Sequence, residues 1–406
     1  MAFIRSILIA RGLGVDVFGK YVLIVALVGT IQEFCNLNIY TALVKFGTDY
    51  REAGRTDKFV ALLKVCLVVC SVTVILSILV VVLGSSLATR TFQEISEYSG
   101  YLVAYAAASG AMFFNSIGAS VLRMFYKFKL NAFIQIGVAS FNLIVVAVVL
   151  GLYPGQLGPF ITAMIIVTLF DVVVVNAVAA VEVYSDVKLH IHAKMNLIKG
   201  EIKAIRNFAL SNSGSRTLVN LLSKGDVLLL GVFSGASQIG QYEVGKKLAQ
   251  TFSRLTEPLL ISVYPQLASL TAKKEKGEIK TLIRRTSVLI LVPAVIVFLL
   301  AIVGGEFAIS TLFGEEFEQA LHPFWIHLVI IIIEGVFFWS RPLIYSLGKV
   351  HARLIVMIIA LLIGGLSGFS LGPLYGPVGI AFSLLITKTF VVSALTTISW
   401  KALRKL

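Results

Sequence analysis

Runs of 18 or more apolar residues recur along the whole of this 406-residue chain, parted by short charged loops. A bilayer's hydrocarbon core of ~30 Å is crossed by about 20 such residues in a helix. Backbone N–H and C=O groups have no water to bond there, so each run must satisfy its own, as an α-helix does. Composition agrees: 58% of residues are hydrophobic and 14% charged, against about 45–50% and 25% in soluble domains. The chain is therefore read as an all-α polytopic membrane protein. Cys35, Cys66 and Cys70 fall inside apolar runs and read as packing residues. No metal-ligand spacing, disulfide framework or nucleotide-binding glycine loop is present, so no metal or cofactor is expected.

The first run, 1–10, is short for a crossing and lacks a small-residue cleavage site. It is read as the outer half of a truncated first helix. Further spans are expected over about 18–46, 59–84, 100–122, 130–152 and 157–180, then about 206–233, 240–269, 282–304, 320–347, 352–371 and 376–400. This makes about 12 transmembrane helices. They divide into an N-terminal bundle (1–180), a cytoplasmic linker (181–205) and a C-terminal bundle (206–406).

Lys and Arg counts orient the spans. With 45–64 placed in the cytoplasm and sides alternating from there, inside segments hold 24 basic residues. Outside segments hold three, Arg11, Lys20 and Arg90. Basic residues concentrate on the cytoplasmic side of a membrane, so this bias predicts cytoplasmic chain ends in the cytoplasmic (inner) membrane. It also accounts for the net charge of +14 as topology, which argues against nucleic acid as a partner.

Eight basic residues remain within spans: Arg5, Arg216, Lys224, Lys246, Lys247, Arg254, Arg341 and Lys388. All but Arg5 are in the second half. Asn212, Arg216, Asn220 and Lys224 recur every fourth residue and share one helix face. Glu243, Lys246, Lys247, Gln250, Arg254 and Glu257 recur at three and four on the next helix. A cation at bilayer depth costs roughly 2.5–3.5 kcal/mol and ordinarily faces a bundle interior or wet cavity. At ~1.5 Å rise per residue, Arg216 lies roughly 15 Å in from Arg206, and Arg254 roughly 20 Å in from Gly240. The pair of stripes predicts a positively charged cavity. Asp226, two residues after Lys224, is expected to pair. Glu334 is seven residues from Arg341, on one face, and Lys388 is mid-span. Glu33 and Asp171 are single acids in a neutral first half. The five His fall mostly at predicted helix ends, and Pro258, Pro265, Pro293 and Pro342 should kink or end helices.

The halves echo each other. Gly14-Val-Asp-Val-Phe-Gly-Lys-Tyr21 introduces one long helix and Gly235-Ala-Ser-Gln-Ile-Gly-Gln-Tyr242 another. Two homologous bundles of six around a central cavity are the expectation for a rocking transporter. Six segments in order carry a wider resemblance: 10–21 (Ala10-Arg-Gly-Leu-Gly-Val-Asp-Val-Phe-Gly-Lys-Tyr21), Asp226-Val-Leu-Leu-Leu-Gly231, Ile239-Gly-Gln-Tyr242, Tyr264-Pro-Gln-Leu-Ala-Ser269, Leu312-Phe-Gly-Glu-Glu-Phe317 and Tyr375-Gly-Pro-Val-Gly-Ile-Ala381. With these the chain resembles the polysaccharide transporter family, the Wzx-type O-antigen flippases of the multidrug/oligosaccharidyl-lipid/polysaccharide (MOP) exporter superfamily.

The resemblance implies flipping of a polyprenyl-diphosphate-linked oligosaccharide from the cytoplasmic to the outer leaflet, with polysaccharide polymerase machinery as a possible partner. The charge pattern suits that cargo, since Arg offers phosphate a fork of donors and Lys a point charge. Arg216 and Arg254 are the diphosphate candidates, with Lys224, Lys246 and Lys247 nearer the exit. Asn220, Gln250, Arg341 and Lys388 complete the expected binding set. Glu257, Glu334, Glu33 and Asp171 are candidates for a coupling H+ or Na+, Glu257 and Glu334 equally for pairing with Arg254 and Arg341. The nearest rival is an organic-cation exporter of the same superfamily, but its pocket should be acidic. A membrane glycosyltransferase or polymerase is disfavoured by loops no longer than about 25 residues without an Asp-x-Asp motif.

Overall fold

The computed structural model describes the backbone of all residues but 191, 254–256 and 406. It also describes their side chains, except at positions 2, 185, 186, 189, 211, 212, 215, 257–261, 350 and 405. Among the described residues the regular structure is helical throughout. The helices are α1 (Ala2–Leu13), α2 (Val15–Cys35), α3 (Ile39–Glu52), α4 (Thr56–Thr91), α5 (Ser99–Met124), α6 (Phe128–Leu152), α7 (Leu157–Val187), α8 (Ile202–Phe233), α9 (Ala236–Ser253), α10 (Glu257–Ala272), α11 (Lys276–Phe313), α12 (Leu321–Val336), α13 (Ser340–Ser346) and α14 (Val350–Lys405). Two compact units form, one of residues 1–5 and 24–220, the other of 6–23 and 221–406.

Polarity is inverted relative to a soluble protein. Along α4 the exposed side chains include Val68, Val72, Ile75, Leu76, Leu79 and Leu83, while Thr73 and Ser77 are buried. On α11, Leu289, Val292, Ile296, Leu299, Val303 and Phe307 are exposed. Apolar stripes of this length are stable only against lipid. Eight segments of the described residues are long and apolar enough to cross a membrane, the last of them spanning both arms of α14. Neither α8 nor α9 is among them, because their polar stripes lower hydropathy below that of a lipid-facing helix.

In the first unit, α4, α5 and α7 pack around Phe59, Leu62, Cys66, Cys70, Ile117, Leu122 and Val183. Gly118 lets α5 close on α7: a Cβ there would lie 2.9 Å from Asn176 Oδ1 and 3.2 Å from Val175. The stretch after α7 is tied back to α4 by a Lys58–Glu201 ion pair of 2.8 Å and by Lys64 Nζ donating to the Ala193 carbonyl at 3.0 Å. The α2–α3 junction carries no proline. Asn36 Oδ1 accepts the Asn38 N–H at 2.8 Å, and Asn38 adopts the left-handed region at φ 47°. Such side-chain-to-backbone bonding competes with helix and breaks it.

In the second unit, the octets 14–21 and 235–242 meet through their glycines. A Cβ on Gly19 would stand 1.8 Å from the Ala236 carbonyl oxygen, and one on Gly240 2.3 Å from that of Val15. Gly245 also brings α9 close to α12: a Cβ there would lie 2.6 Å from the Ala320 carbonyl oxygen and 2.8 Å from the Phe324 nitrogen. α12 stops at Val336, three residues before α13. Pro342 lacks the N–H that would bond the Phe338 carbonyl, which favours a stop there. Ser287 repairs the break: its hydroxyl donates to the Val336 carbonyl at 2.8 Å and accepts the Trp339 indole N–H at 3.0 Å. Pro293, by contrast, sits inside an unbroken α11. α14 folds back at Gly376 (φ 52°) between Pro373 and Pro377. Its arms are joined by Ser367 and Ser383 hydroxyls 2.7 Å apart.

Candidate functional site

The polar stripe of α8 starts in the first unit. Arg216 is exposed, its guanidinium donating to the Tyr40 hydroxyl and lying 5.8 Å from that ring's centroid. The next residue, Thr217, donates to the Glu33 carbonyl at 3.3 Å and to the Ser213 carbonyl at 3.1 Å. Asn220 is half-buried and Lys224 exposed. Among the described residues, neither Arg216 nor Lys224 meets a carboxylate. Asn212 lies outside the described side chains. Two acids of this unit are unsatisfied: Glu33 Oε1 and Asp171 Oδ1 are buried without a hydrogen-bond partner. Asp171 faces Asn115, whose Oδ1 is likewise unpartnered.

The second unit gathers its charges in two clusters. Lys246 Nζ donates to Asp226 Oδ2 at 2.6 Å and to the Ser223 carbonyl at 3.0 Å. The Tyr242 hydroxyl donates to the same Asp226 oxygen at 2.7 Å, and the Val227 N–H to the other at 2.9 Å. Lys246 and Asp226 side chains are 9% and 4% exposed. The His327 ring packs edge-on to Tyr242 at 5.1 Å. It is buried inside α12, not interfacial as the sequence suggests for most of the histidines. Asp226 thus pairs with Lys246 across α8 and α9, and its sequence neighbour Lys224 points elsewhere. Lys247, one residue on, is rotated by ~100°. It reaches Glu243 at 3.6 Å and the Phe18 ring at 5.6 Å. Gln250 is exposed.

The other cluster flanks the α12–α13 break. Glu334 Oε1 accepts Arg341 Nη2 at 2.8 Å and Lys388 Nζ at 3.0 Å. One carboxylate oxygen serves two cations, leaving the trio a net charge of +1. Arg341 remains 42% exposed, so part of its fork is open to a further anion. Arg254 and the side chain of Glu257 lie outside the described residues. The sequence did not point to Tyr40, Tyr242 or His327 as partners. For the two tyrosines a signal was present, since Tyr242 ends the repeated octet and Tyr40 follows the Asn-Leu-Asn turn.

Among the described residues no group of three His, Cys, Asp or Glu side chains could hold a metal ion. What the geometry provides is positive charge within an apolar scaffold. Comparison with known proteins agrees with such a scaffold. A protein of Escherichia coli (strain K12) named "Putative O-antigen transporter" is 25% identical over 194 residues, 44% of this chain and 43% of its own length. The match thus spans less than half of that relative. Among solved structures, a multidrug resistance MATE family transporter of the MOP superfamily superposes with a TM-score of 0.72 at 12% identity, covering 100% of this chain and 94% of its own. The lipid II flippase MurJ superposes with 0.71 at 14% identity, covering 98% and 84%. At such identities the likeness is one of fold. The family model for "Polysaccharide biosynthesis protein" matches residues 1–271, more than half of the chain. The chain belongs to the polysaccharide biosynthesis protein family, on the fold of the MOP superfamily transporters.

Proposed function

We propose that this protein translocates a polyprenyl-diphosphate-linked oligosaccharide across the cytoplasmic membrane by alternating access, supplying surface polysaccharide synthesis. The observation that carries the reading is the uncompensated cation: Arg216 and Lys224 meet no carboxylate among the described residues, and Glu334 is shared by two bases. A diphosphate crossing hydrocarbon needs replacement for its hydration, which guanidinium and ammonium groups at depth supply. In this reading Arg216, with Lys224 two turns on along α8, meets phosphate, and Arg341 with Lys388 forms a separate cationic patch. Lys246, neutralised by Asp226, holds α8 against α9 and does not meet cargo. Glu33 and Asp171, half-buried and each with one buried oxygen unpartnered, are the sites for coupling to H+ or Na+. The two bundles of six, the cytoplasmic chain ends and delivery to polymerase machinery belong to the same proposal, as does a transporter role in place of a catalytic one.

The rival organic-cation export requires acidic cavity walls, and the sign of the free charge opposes it. Complementation of a flippase-deficient strain tests the proposal, with a leaflet-resolved assay of the lipid-linked sugar. Arg216→Ala is expected to cut export of surface polysaccharide by tenfold or more while the protein stays inserted and abundant. Normal export from that variant would refute the role of Arg216, and failure of the wild-type chain to move any lipid-linked sugar would refute the function.

A further inference from the structure

One stripe of α7 is buried. Phe160, Met164, Val167, Val175 and Ala179 recur along it at three and four and are all buried, which puts them on one helix face. Asp171 stands on that face, four residues after Val167 and four before Val175. It lies near the centre of a 31-residue helix. An acid at that depth in an apolar stripe is costly unless a cation or a proton neutralises it.

The helices packed on α7 supply no cation at that level. Between Tyr105 and Arg123, α5 carries no ionisable residue, and α6 carries none between Lys129 and Tyr153. Between Lys64 and Arg90, α4 carries only Cys66 and Cys70, thiols buried in the core with Ile117 and Leu122. On α7 itself the next ionisable residue is Glu182, about three turns on. Asp171 forms no ion pair among the described residues.

What meets Asp171 is an amide. Asn115 of α5 faces it and is 7% exposed. Gly118, one turn along α5, sets the close approach, with Val175 and Asn176 of α7 against it. Asp171 Oδ1 and Asn115 Oδ1 are both buried, and both lack a hydrogen-bond partner. A single proton satisfies both: a carboxyl O–H donates to the amide oxygen, and the other carboxyl oxygen accepts from the amide N–H. A metal cation needs oxygens on every side. Here Met112 sulfur lies 3.9 Å from the Asn115 amide nitrogen, and Val175 closes the contact at Gly118. Asn176 directs its amide nitrogen to the Val172 carbonyl at 2.8 Å and so brings no donor to the two oxygens.

We propose that Asp171 and Asn115 form a proton-binding site between α5 and α7, in which the proton taken up by the Asp171 carboxylate bridges the two side chains. This rests on the coupling role given to Asp171 in the flippase reading. It selects the proton over Na+ and adds Asn115 as the residue that positions it. The proton comes from water and returns to water, and no other bond is made or broken.

The test is infrared difference spectroscopy between acid and alkaline buffer, on the full chain in lipid nanodiscs. Wild type is expected to show the carbonyl band of a hydrogen-bonded protonated carboxyl that is missing from Asp171→Asn. Asn115→Leu and Asn115→Ala, at unchanged helical content, should both move that band to the frequency of a free acid. Replacing NaCl by choline chloride should leave its pH midpoint unmoved. Coincident spectra for wild type and Asp171→Asn, or a band indifferent to both Asn115 variants, would overturn the site. A midpoint that shifts with Na+ would make it a sodium site instead. A second arm uses proteoliposomes holding a polyprenyl diphosphate that bears one N-acetylhexosamine. An imposed pH gradient should speed flipping by wild type severalfold and flipping by Asp171→Asn not at all. The band without any flipping would refute the flippase reading and leave the proton site; flipping without the band would refute the site alone.

Discussion

Single residues carry unequal shares of the charge. Lys246 and Asp226 are a buried ion pair with a full set of partners, the carboxylate accepting from Lys246, Tyr242 and the Val227 N–H. Breaking such a pair strands a charge, which costs about 3–5 kcal/mol, whereas exchanging both partners for apolar residues is often neutral. Asp226→Asn should therefore lower the thermal midpoint of the detergent-purified protein markedly, and adding Lys246→Met should restore most of it. A double variant as unstable as the single one would show that the pair contributes more than mutual neutralisation. The stripe on α9 was legible because polar residues at three and four share a face. Which member of it meets Asp226 was not, because that depends on the rotation of α8 against α9. Lys246 and Lys247 are neighbours in sequence, and one helix step separates a neutralised residue from one beside Phe18. Arg216 shows the converse: its register on one face with Asn220 and Lys224 follows from helix spacing alone, but Tyr40 as its partner required the α2–α3 break.

At the scale of elements, glycine positions set where helices touch. Gly→Ala ordinarily favours a helix by roughly 1 kcal/mol. At Gly19 and Gly240 the sign should reverse, because the added carbon would meet backbone oxygens at 1.8 and 2.3 Å and backbone cannot swing aside like a side chain. Overpacking of this kind costs about 1–3 kcal/mol. Gly137 of α6 has nothing within 4 Å of its Cβ position and is the control. Melting curves should therefore rank Gly137→Ala at or above wild type and both octet variants below it. Equal midpoints for all three would mean the octets do not pack as described. The repeat was visible as Gly and Tyr at matched spacing; that its two copies meet each other was not, since spacing within a segment carries no information about its partner. Helix breaks divide similarly. Pro342 marks the α12–α13 stop, whereas the α2–α3 stop comes from Asn36 and Asn38 and has no proline to announce it.

For the whole molecule, hydrophobic runs and basic loops determine most of what can be read in advance. Expected spans at about 59–84, 130–152 and 157–180 fall within α4, α6 and α7, because lipid-facing apolar stripes dominate those segments. α8 and α9 carry the polar residues and so fall short of the hydropathy of a crossing. Orientation rests on the 24 to three distribution of Lys and Arg, which makes a direct prediction. The three cysteines, all free thiols, would first be replaced by Ala. Single cysteines at exposed positions Lys194 and Gly277 should then react with a membrane-impermeant maleimide only after permeabilisation, and those at Gly155 and Glu318 in intact cells. The acidic segment 315–318 shares its loop with no basic residue, which fits an outward side under the positive-inside rule. Labelling of Gly277→Cys in intact cells would invert the topology.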